Sequence, residues 1–587
     1  MRGFPKIWAT AVVASLAITT APSAKDKIPV LKEDDLPRHT YEVAKPASEL
    51  VGSWQDLAPI AKKVRADLVA DLEKYDIRDK TTLQSIHNTL LTLDLLEGQH
   101  DAAIMRVATL RELEDKPALK LTSGIGVEAR IAAIRETGGL ENLEAYRESF
   151  RRHYAAKLNA LTWDVVQDVL QSNKAQMEMF SEPLLKGMIA EQLDPMVAES
   201  GSLSGAAAGQ ILATHNAIVW MLPVKDIAID VLAEVIDANK VEKANIWPER
   251  DLDLSGAKGL SPVLVAVWDT GVDPSVYSGR MWTNAKEKRN EKDDDGNGLV
   301  DDVHGIGFDL HWRPAPGELY SMAEAVRPIP ELQAQAKGLF DMQAAIDSPE
   351  AQTLKRRLAS LAQEDVKTFV EDLGRYTMYS HGTHVAGIAV ESNPAANILM
   401  ARLTGDPRMV PEPPTMEDAE RFAKSVAQTV DYFEKAGVRV VNMSWVVARS
   451  SIEDDLEKNS VGASAEERKE MARAMFEVMK KGMFEAMQGS PEILFVGGAG
   501  NSDNDIRFDE FFPPMFELPN LLIAGAVDQA GEATSFTSFG PTVNVYSNGF
   551  EVESYVPGGD RIAFSGTSMA SPNVANLAAK LFAMAPG

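Results

Sequence analysis

The spacing of apolar residues divides the chain into two parts. Between about residues 48 and 240, apolar positions recur every three or four residues, a period that predicts helices with one buried face. One such face carries Leu83, Ile86, Leu90 and Leu93. After a segment punctuated by Pro and Gly, apolar residues instead form short continuous runs rich in β-branched side chains, beginning with Val263–Trp268. Such runs predict strands that are buried on both faces.

These patterns predict an all-α N-terminal part followed by an α/β domain with a central, mostly parallel sheet. Further helices are predicted at 142–160, 163–179 and 225–238, and further strands at 398–403, 438–443, 493–497 and 521–527. We place the boundary near residue 250, and call residues 25–250 the helical region and residues 251–587 the α/β region.

Three long stretches interrupt the alternation of strands and helices in the α/β region. They lie near 315–373, 406–435 and 451–489, and all are rich in helix-forming or charged residues. We predict that they are surface insertions, because loops accept added length at a modest cost in entropy.

The first residues predict the compartment in which the protein resides. Arg2 and Lys6 precede the apolar run 7–20, and small residues follow up to Ala24, which is the layout of a secretory signal peptide. We therefore predict that residues 1–24 are a signal peptide and that the protein is exported, either secreted or periplasmic. An uncleaved N-terminal anchor is the alternative. No later run is long enough for a stable membrane insertion.

Composition excludes several classes of protein. The chain of 587 residues has a formal net charge of −27, which argues against a general nucleic-acid binder because such proteins need basic surface. It contains no cysteine, so disulfides, thiolate metal sites and cysteine protease chemistry are excluded. A soluble acidic protein agrees with both observations.

Three short segments carry the residues of nucleophilic catalysis. The first predicted strand ends in Asp269-Thr270-Gly271, His381 opens HGTHVAG, and Ser568 lies in GTSMASP at the start of a helical pattern. A serine hydroxyl attacks a carbonyl only when a base takes its proton, a neutral imidazole can do so, and a carboxylate orients that imidazole. Asp269, His381 and Ser568 are therefore the predicted catalytic triad.

The tetrahedral intermediate of acyl transfer also needs a donor for its oxyanion. Asn501 follows the strand at 493–497, and its uncharged amide could donate together with the backbone N–H of Ser568. Taken singly, each of these residues has an ordinary interpretation as a turn residue, a helix cap or a loop histidine. Their order and joint presence favour catalysis.

These motifs resemble those of the subtilisin-like serine proteases, the subtilases, over roughly residues 260–587. The resemblance implies a three-layer domain with a central parallel sheet, hydrolysis of polypeptide substrates through an acyl-enzyme, often bound calcium, an N-terminal propeptide, and a further helix after Gly587. Three alternatives stay open: a catalytically silent subtilase, a helical scaffold whose protease-like domain only binds, and a lipase or esterase.

The resemblance also suggests which residues line the substrate cleft. Residues Ser444, Trp445 and Val446 follow one predicted strand, and Gly498, Ala499 and Gly500 follow another. In the family this segment continues as Ser-Leu-Gly-Gly or similar, whereas here Ser444 is followed by Trp445, Val446 and Val447. Side chains could therefore narrow the cleft, unless the backbone has shifted and the cleft is normal.

An acidic loop is the candidate metal site. Asp293, Asp295, Asn297 and Asp301 alternate with other residues as oxygen ligands do in calcium loops, and Gly298 suits a sharp turn. We predict a structural Ca²⁺ there. The alternative is a solvated acidic turn, because His304 stands where an EF-hand would have its final Glu.

The helical region has no catalytic constellation of its own. Its place between the predicted signal peptide and the first catalytic strand predicts an intramolecular propeptide, removed by cleavage in the loop at 240–262. Its length and helical pattern favour the alternative, a retained recognition domain.

Overall fold

The computed structural model describes residues 27–343, 346 and 348–586. The predicted signal peptide, residues 1–24, lies outside the described residues. No helix in the described part of the chain combines the length and the apolar character that a membrane crossing requires.

The helical region folds as its periodicity predicts. Its helices are α1 (Ala47–Gly52), α2 (Trp54–Lys74), α3 (Lys80–Leu96), α4 (His100–Leu113), α5 (Pro117–Thr122), α6 (Ile125–Thr137), α7 (Leu143–Asn159), α8 (Trp163–Met179), α9 (Glu182–Ser200), α10 (Gly205–Asn216) and α11 (Lys225–Asn239). Short strands β1 (Ile28–Val30), β2 (Thr40–Glu42), β3 (Tyr75–Ile77) and β4 (Ser202–Ser204) form two small ladders, β1 with β3 and β2 with β4. These ladders join segments that are distant in sequence, which a local period could not reveal.

The α/β region contains the predicted parallel sheet. Its strands are β5 (Val263–Asp269), β6 (Gly305–Gly307), β7 (Ala396–Arg402), β8 (Val440–Met443), β9 (Val447–Ala448), β10 (Leu494–Gly498), β11 (Phe511–Phe512), β12 (Leu521–Val527), β13 (Val545–Asn548), β14 (Val552–Tyr555) and β15 (Arg561–Phe564). Its helices are α12 (Ile329–Gln343), α13 (Pro349–Ala359), α14 (Val366–Val390), α15 (Met416–Ala436), α16 (Arg449–Lys458), α17 (Ala465–Gly489) and α18 (Thr567–Met584). Among described residues the main sheet has the order β13-β12-β10-β8-β5-β7-β6, and every pair in it is parallel.

Helices cover both faces of this sheet. On one face, Trp268 of β5 packs with Phe422 and Phe433 of α15 and with Phe476 of α17. On the other face, β5 packs against α14 and α18. The predicted fold class, a three-layer α/β domain preceded by a helical region, is confirmed.

Two of the three predicted insertions are corrected by this packing. Helix α15, which fills most of 406–435 and ends at Ala436, connects β7 to β8, and helix α17, within 451–489, leads back to β10. Both are crossover helices whose apolar faces are buried in the sheet core, with Phe433 and Phe476 fully buried. Their charged outer faces suggested surface insertions, but a crossover between parallel strands needs such a helix.

Candidate active site

The strand order reverses at β5, which lies between β8 and β7. Crevices at the carboxyl ends of parallel strands form at such reversals. Asp269 is the last residue of β5, and its Oδ1 accepts a hydrogen bond from Nδ1 of His381 at 2.7 Å. The backbone N–H of Thr270 donates to the same oxygen at 2.8 Å. Asp269 is only 2% exposed, so its carboxylate is fixed beside the imidazole.

His381 lies inside a helix, because α14 begins at Val366 and runs through His381 to Val390. A Cβ on Gly382 would lie 2.2 Å from the carbonyl oxygen of Gly271. This glycine therefore lets α14 approach the loop after β5 and bring the two catalytic candidates together.

The two histidines of HGTHVAG have opposite electrostatic environments. Burial alone would lower the pKa of His381, but the charge of Asp269 and its hydrogen bond outweigh burial and raise it. Burial lowers the pKa of His384 to about 3. His384 Nε2 donates to the carbonyl oxygen of Ile562 at 2.8 Å, and its ring stacks on Phe564. His384 thus packs as a neutral residue.

Ser568 is the second residue of α18 and lies against the end of β8. Its hydroxyl donates to the carbonyl oxygen of Ser444 at 3.2 Å, and the hydroxyl of Ser444 donates to the carbonyl oxygen of Ser568 at 2.8 Å. Ser571, one turn further along α18, also hydrogen-bonds Ser444 at 3.0 Å. These contacts tie the start of α18 to the sheet edge that carries Asp269.

Asn501 is held in place through its amide oxygen. Its Oδ1 accepts hydrogen bonds from the backbone N–H of Thr567 at 2.9 Å and from the Thr567 hydroxyl at 3.0 Å. A Cβ built on Gly566 would lie 3.3 Å from Asn501 Nδ2 and 3.7 Å from the backbone nitrogen of Ser568. The missing side chain of Gly566 therefore leaves a space between two donors, as an oxyanion hole requires.

Trp445 does not fill the cleft, although the sequence raised that expectation. Its indole Nε1 donates to the carbonyl oxygen of Trp268 at 2.9 Å, and the two rings meet edge to face with centroids 5.4 Å apart. Val446 packs in a small cluster with Ala448 and Phe511. The backbone then forms β9, which pairs antiparallel with β11.

The segment Gly498-Ala499-Gly500 is part of the packing around α18. A Cβ on Gly498 would lie 3.0 Å from the hydroxyl of Thr567, and the N–H of Gly500 donates to that hydroxyl at 3.1 Å. Ala499 is 0% exposed, and its N–H donates to the carbonyl oxygen of Ala524. The prediction that Ala499 lines the cleft is thus corrected for its side chain, which belongs to the core.

The acidic loop forms a carboxylate cluster with different members from those predicted. Asp293 and Asp295 each place a carboxylate oxygen within 4.8 Å of the others and of Glu287, which the sequence analysis missed. Asp301 is not in this group, and its carboxylate accepts the N–H groups of Asn290 and Glu291. The amide oxygen of Asn297 accepts the N–H of Leu299 at 2.7 Å.

Glu287 supports a cation at this cluster. It is 6% exposed, and its Oε1 accepts two backbone N–H groups, from Asp294 at 2.8 Å and Asp295 at 2.9 Å. Its Oε2 is buried and has no hydrogen-bond partner among the described atoms. A buried carboxylate oxygen beside two further carboxylates fits a hard cation such as Ca²⁺. Glu287 lies between basic residues, before the acidic run, and this hid it in the sequence.

A second carboxylate trio in the described chain already holds a cation. Asp168 of α8, Asp528 and Glu532 surround the ammonium of Lys243, at 2.5, 2.9 and 2.6 Å. The three carboxylates raise the pKa of Lys243 despite the opposing effect of its partial burial. This trio therefore binds Lys243, from the loop at 240–262, and is not a candidate metal site.

Comparisons with known proteins agree with this arrangement. The model of the subtilase family matches residues 261–587. A thermophilic serine proteinase of Bacillus sp. strain AK1 is 30% identical over 203 residues, which cover 34% of this chain and 42% of that protein. A thermostable alkaline protease of Halalkalibacterium halodurans is 27% identical over 199 residues, covering 34% of this chain and 46% of that protein. The chain thus spans less than half the length of these relatives.

Among solved structures, a cold-adapted subtilisin-like serine proteinase aligns with 35% of this chain and 63% of its own. The identity is 22% and the TM-score is 0.25, so this likeness carries no argument about function.

Proposed function

This chain belongs to the subtilase family, and on that premise we propose that it is a serine endopeptidase that hydrolyses polypeptides through an acyl-enzyme on Ser568. The observation that carries the proposal is the 2.7 Å hydrogen bond between His381 Nδ1 and the buried Asp269, at the sheet edge against which Ser568 packs. The raised pKa of His381 supports the same roles, because an imidazolium is stabilised where catalysis produces one.

The proposed reaction uses each of these groups in turn. The Ser568 hydroxyl turns from the carbonyl of Ser444 toward His381, which takes its proton as the oxygen attacks the scissile carbonyl carbon. The carbonyl oxygen becomes an oxyanion, and Asn501 Nδ2 and the Ser568 N–H donate to it. His381 then gives the proton to the leaving amine as the C–N bond breaks. A water molecule, deprotonated by His381, then attacks the acyl-enzyme, which releases the carboxylic acid and returns the proton to Ser568.

The acyl part of the substrate is proposed to lie along Ser444–Val446 and beside Gly498 and Gly500. Support comes from their position next to Ser568 and from the inward turn of Trp445, which keeps its ring out of the cleft. Ala499 contributes through its neighbours, because its own side chain is buried.

Replacement of the nucleophile tests the proposed activity. Ser568→Ala should reduce kcat on a casein or peptide substrate by about 10⁶-fold, because no other group in the site can form the acyl-enzyme. Ser451→Ala, at an exposed serine of α16, is the matched control and should retain full activity. Proteolysis by purified Ser568→Ala at a rate near wild type would reject the proposal.

We also propose a structural calcium ion at the acidic loop. Glu287, Asp293 and Asp295 would hold it, and the carboxylates fit the oxygen ligands that calcium prefers. The ion would neutralise their mutual repulsion and so stabilise the loop between β5 and β6.

Export and processing are proposed from the sequence. The basic start, apolar run and small residues within residues 1–24 support a signal peptide, and therefore a secreted or periplasmic protein. Removal of the helical region as a propeptide stays a prediction, and the retained recognition domain is its alternative. N-terminal sequencing of the active enzyme distinguishes them: a start between about 235 and 262 indicates removal.

A further inference from the structure

A cavity of about 780 Å³ joins the helical region to the active site. Leu119 of α5 and Val165 and Val169 of α8 line it from the helical region. Asn501, Phe536 and Ser565 line it from the α/β region. Asn501 is the proposed oxyanion donor and Ser565 lies three residues before Ser568, so the cavity borders the oxyanion donor and the segment that leads to the nucleophile.

From this continuity we infer that the helical region is a permanent wall of the substrate cleft, and that its helices α5 and α8 bind an apolar residue on the leaving-group side of the scissile bond. The inference rests on the proposed endopeptidase activity. The acyl side of the substrate is assigned to Ser444–Val446, and the cavity lining includes none of these three residues. A chain bound there by its acyl side and passing Asn501 would reach the cavity with its leaving-group side.

The first support is that α5 is docked directly on the α/β region next to Asn501. Lys116, which precedes α5, donates to the carbonyl oxygens of Thr534 and Ser535 at 3.1 and 2.8 Å and pairs with Asp503 at 2.6 Å. These contacts bind one lysine to both loops that border the cavity. They fix the distance between the helical wall and the catalytic wall.

The second support is a buried ion network on another part of the interface. The side chain of Arg449 in α16 is 0% exposed and pairs with Glu33 at 2.6 Å, Asp34 at 3.0 Å and Glu453 at 2.6 Å. Two of these carboxylates come from the helical region. Phe508 of the α/β region is likewise buried in the core cluster of α1, α2, α3 and α10. The two regions thus share core residues, as parts of one folded unit do.

The third support is that the helical region makes no polar contact with the triad. Within the described chain, Asp269, His381 and Ser568 form no hydrogen bond or ion pair with residues 27–250. A segment whose purpose is to restrain the enzyme until its removal has to occupy the site. This region instead flanks the site and leaves a cavity open beside it.

The lining determines the chemistry of the occupant. Leu119, Val165, Val169 and Phe536 present apolar surface, while Lys243 is already engaged by three nearby carboxylates, those of Asp168, Asp528 and Glu532. An uncharged apolar side chain gains from burial against the apolar surface, whereas an acidic one would be desolvated beside an excess of carboxylates.

The test is a substitution on the helical wall with a matched control. Val165 is 40% exposed on α8 and lines the cavity, and Val69 is equally exposed on α2, outside the lining. Full-length Val165→Glu and Val69→Glu are compared on two peptides that differ only in Leu or Glu after the scissile bond, and on a peptide methyl ester that has no residue there.

We expect Val165→Glu to lose about tenfold more kcat/KM on the Leu peptide than on the ester, while Val69→Glu matches wild type on all three substrates. Active wild-type enzyme should still contain α8 by N-terminal sequencing. The inference is overturned if the two variants have the same profile, or if fully active enzyme begins after residue 240. If wild type hydrolyses neither the peptides nor the ester, the proposed activity itself fails.

Discussion

The two regions of this protein differ in how the sequence encodes their contribution to the proposed activity. The α/β region carries Asp269, His381 and Ser568 in short motifs that converge at the reversal point of a parallel sheet. The helical region carries no such motif. It contributes through the position of Lys116 and helix α8, which border the cavity next to the α/β region. Reactive groups can be recognised from residue types and order, whereas a wall is recognised only from its position in the fold.

If the chemistry resides entirely in the α/β region, the largest effects must come from residues there. Asp269→Asn should lower kcat by about 10⁴-fold, because the imidazole loses the carboxylate that orients it and stabilises its charged form. The same substitution should lower the pKa of His381, which Asp269 raises in the wild type.

The pH dependence of kcat/KM shows in which direction Asp269 shifts the pKa of His381. His381 acts as a base only when it is neutral, so wild-type kcat/KM should rise with pH through a pKa above 6.5. In Asp269→Asn the rising limb should move to lower pH, although the plateau is far lower. A limb that stays in place would mean that Asp269 does not set the charge of His381.

A second prediction asks whether the two regions are one folded unit. Arg449→Leu removes the fully buried cation of Glu33, Asp34 and Glu453, which keep only partly exposed arginine partners, so the loss should approach but not exceed about 3–5 kcal/mol. The midpoint of thermal unfolding should fall clearly. Arg507→Leu, at an arginine whose side chain is 50% exposed, is the control and should change the midpoint little.

An Arg449→Leu midpoint equal to that of Arg507→Leu would mean that the N-terminal segment is only loosely attached. The comparison would then favour a removable helical region.

The smallest predicted effect compares the two carboxylate trios. Chelation of calcium should lower the unfolding midpoint through the Glu287 cluster, by mass action on the folded state, and Glu287→Gln should remove that sensitivity. The trio around Lys243 should not respond, because the lysine already supplies its cation. Glu291→Gln, an exposed acid of the same loop, should keep the wild-type response. Equal midpoints of the wild type with chelator and with added calcium would leave a solvated turn as the interpretation.

The sequence was sufficient for much of the α/β region. The apolar runs predicted β5, β7, β8, β10 and β12, and the motifs predicted the pairing of Asp269 with His381. The role of α15 was not predictable from its charge pattern, because a crossover helix and an amphipathic surface helix have similar periodicity. The sequence also did not reveal Glu287 as a member of the acidic cluster or α8 as part of the cavity lining, since both depend on contacts between residues far apart in sequence.

The central claim is that Ser568 is a nucleophile activated by His381 and Asp269. Labelling with a fluorophosphonate, followed by mass spectrometry of the peptides, tests it most directly, because an assembled triad reacts quickly while an ordinary serine does not. We predict a single rapid adduct on Ser568 in the wild type, none in Ser568→Ala, and a much slower one in His381→Ala. Folded wild-type protein that stays unlabelled, or an adduct that persists in Ser568→Ala, would contradict the account.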